Sequence, residues 1–464
     1  MRPKSRDSDP AVSPARAAAF DILLGVERES SYASELLHSR TYGRLTVVDH
    51  SLATELVMGV LRWRSLIDCQ IAKSSSPPLS KLDLEILTAL RLAFYQLRWL
   101  DRIPARAAIN ESVELVKRAR KRSAAPFVNA VLRKLAVGIS PTHEAPQSAI
   151  TAASVAALAA SSAHPLWLVE RWTKVYGLDS ALGICQHDQS VPVTAIRLRR
   201  TEVGGQLRSE GIELAPGAFL ASARRVQHGD ITKTATFRVG LCFIQDEASQ
   251  LVAALVGRGA HILDCCAAPG GKTLAIADRN PRADIVAVEL HPHRARLLRR
   301  LLRAQDPTSE AGARNIRVVA ADARDLPFAA KFDRVLADVP CSGTGTLSRN
   351  PEIKWRLVPE DLADLQERQL AILRSAMAQV AAGGHLIYST CSMEREENED
   401  VIERSLAEGS TFRLLDCRTE LARLQQEGEL IWPDPSSLTR GPYLRTLPGV
   451  HACDGFFAAI LEKI

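Results

Sequence analysis

Through the first 145 residues, apolar side chains recur at three- and four-residue spacing, and no stretch alternates apolar with polar. Leu52, Leu56, Val60 and Leu61 fall on one helical face. Ile109, Val113 and Val116 form a second stripe with Glu111, Glu114 and Lys117 opposite, and Phe127, Val131 and Leu135 form a third. Such spacing predicts packed amphipathic helices. A loose alanine- and proline-bearing stretch at 139–163 reads as a boundary holding a helix at 152–160. The signals from 164 to 236 are mixed, with a helix expected at 166–176 and short strands at 193–198 and 234–239. From Gln245 onward, apolar runs at 261–264, 285–289, 316–320, 332–338 and 384–389 alternate with helical stretches at 274–278, 293–302 and 359–380. That alternation requires a mostly parallel sheet with helices on both faces.

Three regions follow: an all-helical part at 1–145, a linker and small mixed α/β part at 146–236, and an α/β part at 237–464. A chain of 464 residues has room for two or three domains, and a 46% apolar composition supplies their cores. No apolar run approaches the ~18 residues of a membrane span, and the polar start resembles no signal peptide. Nine cysteines in so long a chain make no disulfide framework, and without a CxxC pair no zinc site is expected. Reactive thiols then imply a reducing cytoplasm. The net charge of +6 is modest, but it is clustered. Lys117, Arg118, Arg120, Lys121 and Arg122 lie together, as do Arg294, Arg296, Arg299, Arg300 and Arg303 at helical spacing. Clusters of this kind neutralise phosphates or simply line a solvated helix face.

The chemistry concentrates where strands end. In an open α/β sheet, the carboxyl ends of the strands line the ligand crevice. Cys341, in Asp338-Val339-Pro340-Cys341-Ser342-Gly343, and Cys391, in Tyr388-Ser389-Thr390-Cys391-Ser392, both follow expected strands. Two thiols aimed at one crevice suit covalent chemistry on an electron-poor ring. The turn Cys266-Ala267-Ala268-Pro269-Gly270-Gly271-Lys272-Thr273 follows the first strand, where glycine lets backbone approach a ligand. It matches neither the Walker pattern nor GxGxxG. Glu289 ends the next strand, where an acid can accept from both ribose hydroxyls; Asp322 can accept from an adenine amino group. Asp338 could hold a ligand ammonium or the exocyclic amine of a base. Carboxylates at successive strand ends, with no phosphate cradle, describe a nucleoside carrying an amino acid, and S-adenosylmethionine is that ligand.

These motifs, with Arg349-Asn350-Pro351-Glu352-Ile353-Lys354-Trp355, Gln245-Asp246-Glu247-Ala248-Ser249 and the closing Asp454-Gly455-Phe456-Phe457, resemble the Sun/Fmu (RsmB-type) bacterial rRNA cytosine-5 methyltransferases. The segments 107–113 and 127–134 resemble that family's NusB-like RNA-binding domain. The resemblance implies a Rossmann-like S-adenosylmethionine-dependent methyltransferase domain, preceded by an all-α NusB-like domain and a small mixed middle region. It also implies methyl transfer to carbon 5 of a cytosine in small-subunit rRNA, by a cytoplasmic monomer without metal or membrane. It assigns the nucleophile to Cys391, a part in releasing methylated RNA to Cys341, and a substrate-facing place to Asp338. Lys272 falls near the active site in a role left open. By residues alone, the order of the two cysteines stays undecided. Asn350 and Lys354 either shape the base pocket or brace their loop.

Two departures fall outside the catalytic motifs: Arg197-Leu198-Arg199 where the family has Arg-Val-Asn, and an added run at 306–312. The same chemistry on tRNA or large-subunit rRNA is the near alternative. A non-catalytic RNA-binding assembly factor is the alternative of another class, and intact Cys391, Cys341 and Asp338 count against it. A dinucleotide oxidoreductase is disfavoured by the absence of GxGxxG.

Overall fold

The computed structural model describes residues 12–29, 31–138, 153–304, 315–407 and 411–464. The run at 306–312 and most of the expected boundary stretch lie outside these residues. The chain forms two compact units, Met1–Val191 with Leu347–Arg356, and Pro192–Thr346 with Leu357–Ile464.

The first unit is helical among its described residues. Its longest helices are Pro14–Glu29, Val47–Arg62, Leu84–Trp99, Ala105–Arg118 and Ala125–Gly138. The expected stripes are the buried faces, with Leu56, Val60, Leu61, Val116, Val131 and Leu135 in the core. The helix expected at 166–176 is Leu166–Tyr176, and the earlier one is Val155–Ser161.

The segment Leu347–Arg356 also belongs to this unit, although it lies inside the α/β part of the sequence. Its Lys354 is buried and donates from Nζ to the carbonyls of Arg62 at 2.9 Å and Ala163 at 3.1 Å. Trp355 Nε1 donates to Leu61 O at 2.7 Å, and Glu352 Oε1 accepts from Ala33 N at 2.8 Å. Lys354 therefore braces its loop. Burial pushes the Lys354 pKa down to about 7. A neutral amine has two N–H groups, which match the two carbonyls it meets.

The second unit contains two sheets. The small one has strands β1 (Ala195–Leu198), β2 (Glu213–Pro216), β3 (Ala223–His228) and β4 (Cys242–Ile244) in the antiparallel order β2-β3-β1-β4. The strand expected at 234–239 is instead a short helix, Ala235–Arg238. Its alternating residues mimic a strand, but the Thr234 hydroxyl accepts from Phe237 N at 3.1 Å and caps a helical turn.

The large sheet is built from β5 (His261–Asp264), β6 (Asp284–Glu289), β7 (Ile316–Ala320), β8 (Phe332–Asp338) and β9 (Val380–Thr390), followed by β10 (Phe412–Leu415), β11 (Thr439–Arg440), β12 (Tyr443–Thr446) and β13 (Phe456–Lys463). The order is β11-β12-β13-β9-β8-β5-β6-β7, with β10 also on β13. The five strands from β7 to β9 run parallel, and β13 returns antiparallel beside β9. Buried runs such as Ile285-Val286-Ala287-Val288 explain this, because strands covered on both faces carry no polar alternation. The expected α/β Rossmann-like class is the observed one. Strand order reverses between β5 and β8, so the crevice for ligands opens where β5, β8 and β9 end. Among the described residues, no helix is long and apolar enough to cross a membrane.

Candidate active site

Cys341 follows β8 and Cys391 follows β9, neighbours in the sheet, and their sulfur atoms lie 3.3 Å apart. The loops that carry them are stitched together through backbone. Gly345 N donates to Cys391 O at 2.9 Å, and Gly455 N donates to Gly345 O at 2.7 Å. A Cβ on Gly345 would sit 2.2 Å from Gly455 O, so the close approach requires glycine here. This places the closing Asp454-Gly455-Phe456-Phe457 motif against the Cys341 loop.

Beneath both loops sits Glu397, fully buried. Its carboxylate accepts from Ser342 N at 2.8 Å, from Gln369 Nε2 at 2.8 Å, and from the hydroxyls of Ser342 and Ser392. Ser342 follows Cys341 and Ser392 follows Cys391, so one side chain fixes the residue after each thiol. Asn398 adds a second tie, donating from Nδ2 to Ser392 O at 2.9 Å. The Cys341 thiol is held protonated. Its hydrogen bond with Cys391 and its burial both push its pKa well up, and the nearby Glu397 carboxylate adds to this.

Asp338, the last residue of β8, accepts from Ser389 Oγ at 2.8 Å and pairs with Lys272 Nζ at 2.9 Å. Burial alone would lower the Lys272 pKa, but the Asp338 carboxylate outweighs it, and Cys391 and Asp264 reinforce the rise. The ammonium also lies 5.1 Å from the Phe456 ring centroid. Cys391, Cys341, Asp338 and Lys272 thus form one cluster.

The expected cofactor loop, Cys266, Ala267, Ala268, Pro269, Gly270 and Gly271, runs from β5 into the helix Gly271–Arg279. Gly270 has φ +114°, a backbone conformation that calls for glycine. No side chain caps this helix, leaving its first N–H groups for a ligand or water. Asp264, at the loop's base, accepts from Thr273 Oγ1 at 2.7 Å, and burial pushes its pKa up to about 6. Glu289, at the end of β6, spends Oε1 on His291 N at 2.9 Å, and Oε2 makes no hydrogen bond among the described residues. Asp322 is half-buried after β7, and its carboxylate is held by Arg324, with Nη2 at 2.6 Å. A ligand amine there would have to share the Asp322 carboxylate with that guanidinium.

A family model described as 16S rRNA methyltransferase RsmB/F matches residues 255–462, and a NusB family model matches residues 13–137. Over 460 residues the chain is 33% identical to the probable ribosomal RNA small subunit methyltransferase B of Bacillus subtilis (strain 168), covering 97% of this chain and 98% of that one. The chain belongs to the RsmB/F methyltransferase family. Another relative of the family, the ribosomal RNA small subunit methyltransferase B of Vibrio cholerae, is 31% identical over 426 residues, covering 89% of this chain and 90% of its own. The crystal structure of PH0851 has the same fold, with a TM-score of 0.77 over 98% of this chain and 99% of that one, at 24% identity.

In this RsmB/F family member, the sequence reading missed Glu397, Asn398 and the interlock of Gly345 with Gly455. Glu397 sits in Glu394-Arg395-Glu396-Glu397-Asn398-Glu399, which reads as a solvated charge run. Only its nearness to Cys391 could have drawn attention to it. Of the basic clusters, the one at 117–122 is partly neutralised by Glu114, Asp21 and Asp83, at 2.6, 2.6 and 2.8 Å. Arg294, Arg296, Arg299 and Arg300 are exposed on the helix Pro292–Ala304; the Arg303 side chain lies outside the described residues.

Proposed function

We propose that the chain methylates carbon 5 of a cytosine in small-subunit rRNA, in the cytoplasm, using S-adenosylmethionine. The observation that carries this reading is the 3.3 Å separation of two thiols beside the Lys272–Asp338 pair, at the switch point of a methyltransferase sheet. The names of the relatives support rRNA as substrate.

The donor set suits the cofactor. The uncapped N–H groups at Gly271 and the loop 266–271 would cradle it, and the spare oxygen of Glu289 would accept from its ribose. Asp322 would take the adenine edge, and Asp338 would lie near the amino-acid end. Bound there, S-adenosylmethionine supplies an electrophilic methyl group.

The protein's own residues do the rest. A cytosine lifted from its stack meets Cys391, whose thiolate adds to carbon 6 and makes carbon 5 nucleophilic. Asp338, held by Lys272 and Ser389, polarises the ring. Once Cys391 is bonded to carbon, its hydrogen bond to Cys341 is lost, and that bond is the largest cause that keeps Cys341 protonated. Cys341 can then give its proton to solvent and, as a thiolate, take the one left on carbon 5 after that carbon has gained its methyl group. The electrons of that C–H bond restore the ring double bond and expel the Cys391 sulfur.

The test uses purified protein, small-subunit rRNA and labelled donor. Cys391→Ala is expected to abolish methyl transfer, and Cys341→Ala to accumulate a denaturant-resistant protein–RNA adduct. Normal turnover by Cys391→Ala would refute the assignment. Bisulfite sequencing of rRNA and tRNA from cells lacking the protein is expected to lose one small-subunit signal; a loss from tRNA alone would refute the substrate.

A further inference from the structure

At the end of the helix Gly271–Arg279 away from the cofactor loop lies a second cavity, of about 370 Å³. Nine residues at ~1.5 Å each put it roughly 12 Å along the helix from Gly271. It is a cleft open to solvent within the second unit, walled by β1, β3, the helices on either side of β5, and the turn at Gly428 and Glu429. The site described above uses none of its residues.

Its walls carry six guanidinium groups, those of Arg197, Arg199, Arg200, Arg224, Arg258 and Arg279, against the carboxylates of Asp278 and Glu429. Four positive charges are left in excess. Bracing the small sheet explains part of this: Asp278 accepts from Arg197 Nη1 at 2.6 Å and Arg199 Nε at 3.2 Å. For the other four arginines the walls supply only one carboxylate, Glu429, which pairs with Nη1 of Arg279. Nε and Nη2 of Arg279 are buried without hydrogen-bond partners. Burial first, then Arg258 and Arg423, push the Arg279 pKa down to about 10 despite Glu427 and Glu420 nearby, and an anion in the cleft would relieve it.

A second unmet demand is of opposite kind. Gln250 lines the cavity and is 2% exposed. Its Nε2 donates to Gln245 O at 2.8 Å, while Oε1 is buried with no donor. A bare phosphate would answer the guanidinium donors and leave Oε1 unanswered. A phosphate carrying a sugar hydroxyl answers both, and the volume falls within the ~300–1,000 Å³ of small-ligand sites.

We propose that this cavity takes one ribose phosphate, with the phosphate on Arg279, Arg258 and Arg224, the exposed Arg200 adding its charge to the same cleft, and a hydroxyl on Gln250 Oε1. The unit belongs to an RNA strand held away from the catalytic centre. That choice of source rests on the rRNA reading above, whereas the chemistry of the cavity does not.

The test uses the full chain, a fluorescein-labelled 12-nucleotide RNA followed by anisotropy across a salt series, and CMP followed by calorimetry. Arg200 is exposed and its side chain makes no bond among the described residues, so Arg200→Glu reports on binding without a folding penalty. Arg258→Glu is the second variant, and Lys331→Glu is the charge-matched control away from the cavity. Thermal melts verify folding. Both cavity variants are expected to weaken RNA binding about tenfold or more, and to lower the slope of log Kd against log salt by about one for each phosphate no longer neutralised. The control should change the affinity less than about threefold on the same electrostatic grounds.

If CMP binding weakens and RNA binding does not, the site takes a free mononucleotide, and the strand is refuted while the ribose phosphate stands. Unchanged affinity for both probes would overturn the proposal. A wild-type protein whose RNA binding depends on Arg200 and Arg258, yet which methylates no RNA, would remove the proposed reaction and leave the cavity intact.

Discussion

Glu397→Gln would separate the role of the buried carboxylate from that of the cofactor loop. The carboxylate accepts four hydrogen bonds, from Ser342 N, Gln369 Nε2 and two serine hydroxyls. Each bond to a buried charge contributes about 1.5–3 kcal/mol. Glutamine keeps one acceptor oxygen and turns the other into a donor, to which the serine hydroxyls can rotate and accept. One or two charge-assisted bonds are lost, costing about 2–4 kcal/mol. At about 2–4 °C per kcal/mol for a domain of this size, the unit should melt about 4–15 °C lower. The serines adjoin Cys341 and Cys391, and a misplacement of about 1 Å costs on the order of 10²-fold in rate. The loop 266–271 has no hydrogen bond to Glu397, so KM for the methyl donor should hold within about twofold while kcat falls about 10²-fold. Differential scanning fluorimetry and initial rates across a donor titration read all three quantities. Melting within about 1 °C of wild type with kcat within about threefold would refute the reasoning, as would a raised donor KM at constant kcat.

Three further outcomes are expected. Gly345→Ala forces a Cβ to within 2.2 Å of Gly455 O, so it should destabilise the unit by about 2–4 kcal/mol and lower kcat, read by the same melts and rates. Lys354 has a folded pKa of about 7 against 10.5 for the free group; the stability this represents is full above about 10.5 and is lost as pH falls toward 7. The melting advantage of wild type over Lys354→Met should therefore grow between about pH 7 and pH 10, and a constant difference would refute the neutral amine. Asp264 behaves oppositely. Its folded pKa of about 6 lies above the ordinary 3.8, so its contribution is full below about 3.8 and lost as pH rises through 6. Asp264→Asn should gain on wild type by about 2 kcal/mol in melts between pH 4 and pH 6.5.

The parallel strands were legible because burial on both faces leaves an uninterrupted apolar run, as in β6 and β8. The start of β9 was not, since Gly383 and Gly384 break the run that begins at Val380. The strands β2 and β3 escaped because their half-exposed and exposed residues, among them Arg224, Arg225 and Gln227, carry little apolar signal. The membership of Leu347–Arg356 in the helical unit has no local signature either. Lys354 looks like a surface lysine until the carbonyls of Arg62 and Ala163, far away in sequence, are brought to it. The cysteines, Asp338 and the glycine turn were legible because their neighbours form motifs. Glu397 was hidden because burial, and not sequence, makes its charge unusual.

Two sulfur atoms 3.3 Å apart cannot both be anionic at neutral pH. With an effective dielectric constant near 20, two unit charges at that distance repel by about 5 kcal/mol, on the order of 3–4 pKa units. The pair therefore carries at most one negative charge, and the flanking groups differ at the two sulfurs. The Glu397 carboxylate acts on Cys341 and favours its protonated form. The Lys272 ammonium, itself held by Asp338, is raised further by Cys391. A carboxylate behind one sulfur and an ammonium beside the other make a symmetric-looking pair of thiols unequal. Cys341 is the sulfur held protonated, by its hydrogen bond to Cys391 and its burial first and by the Glu397 carboxylate as well.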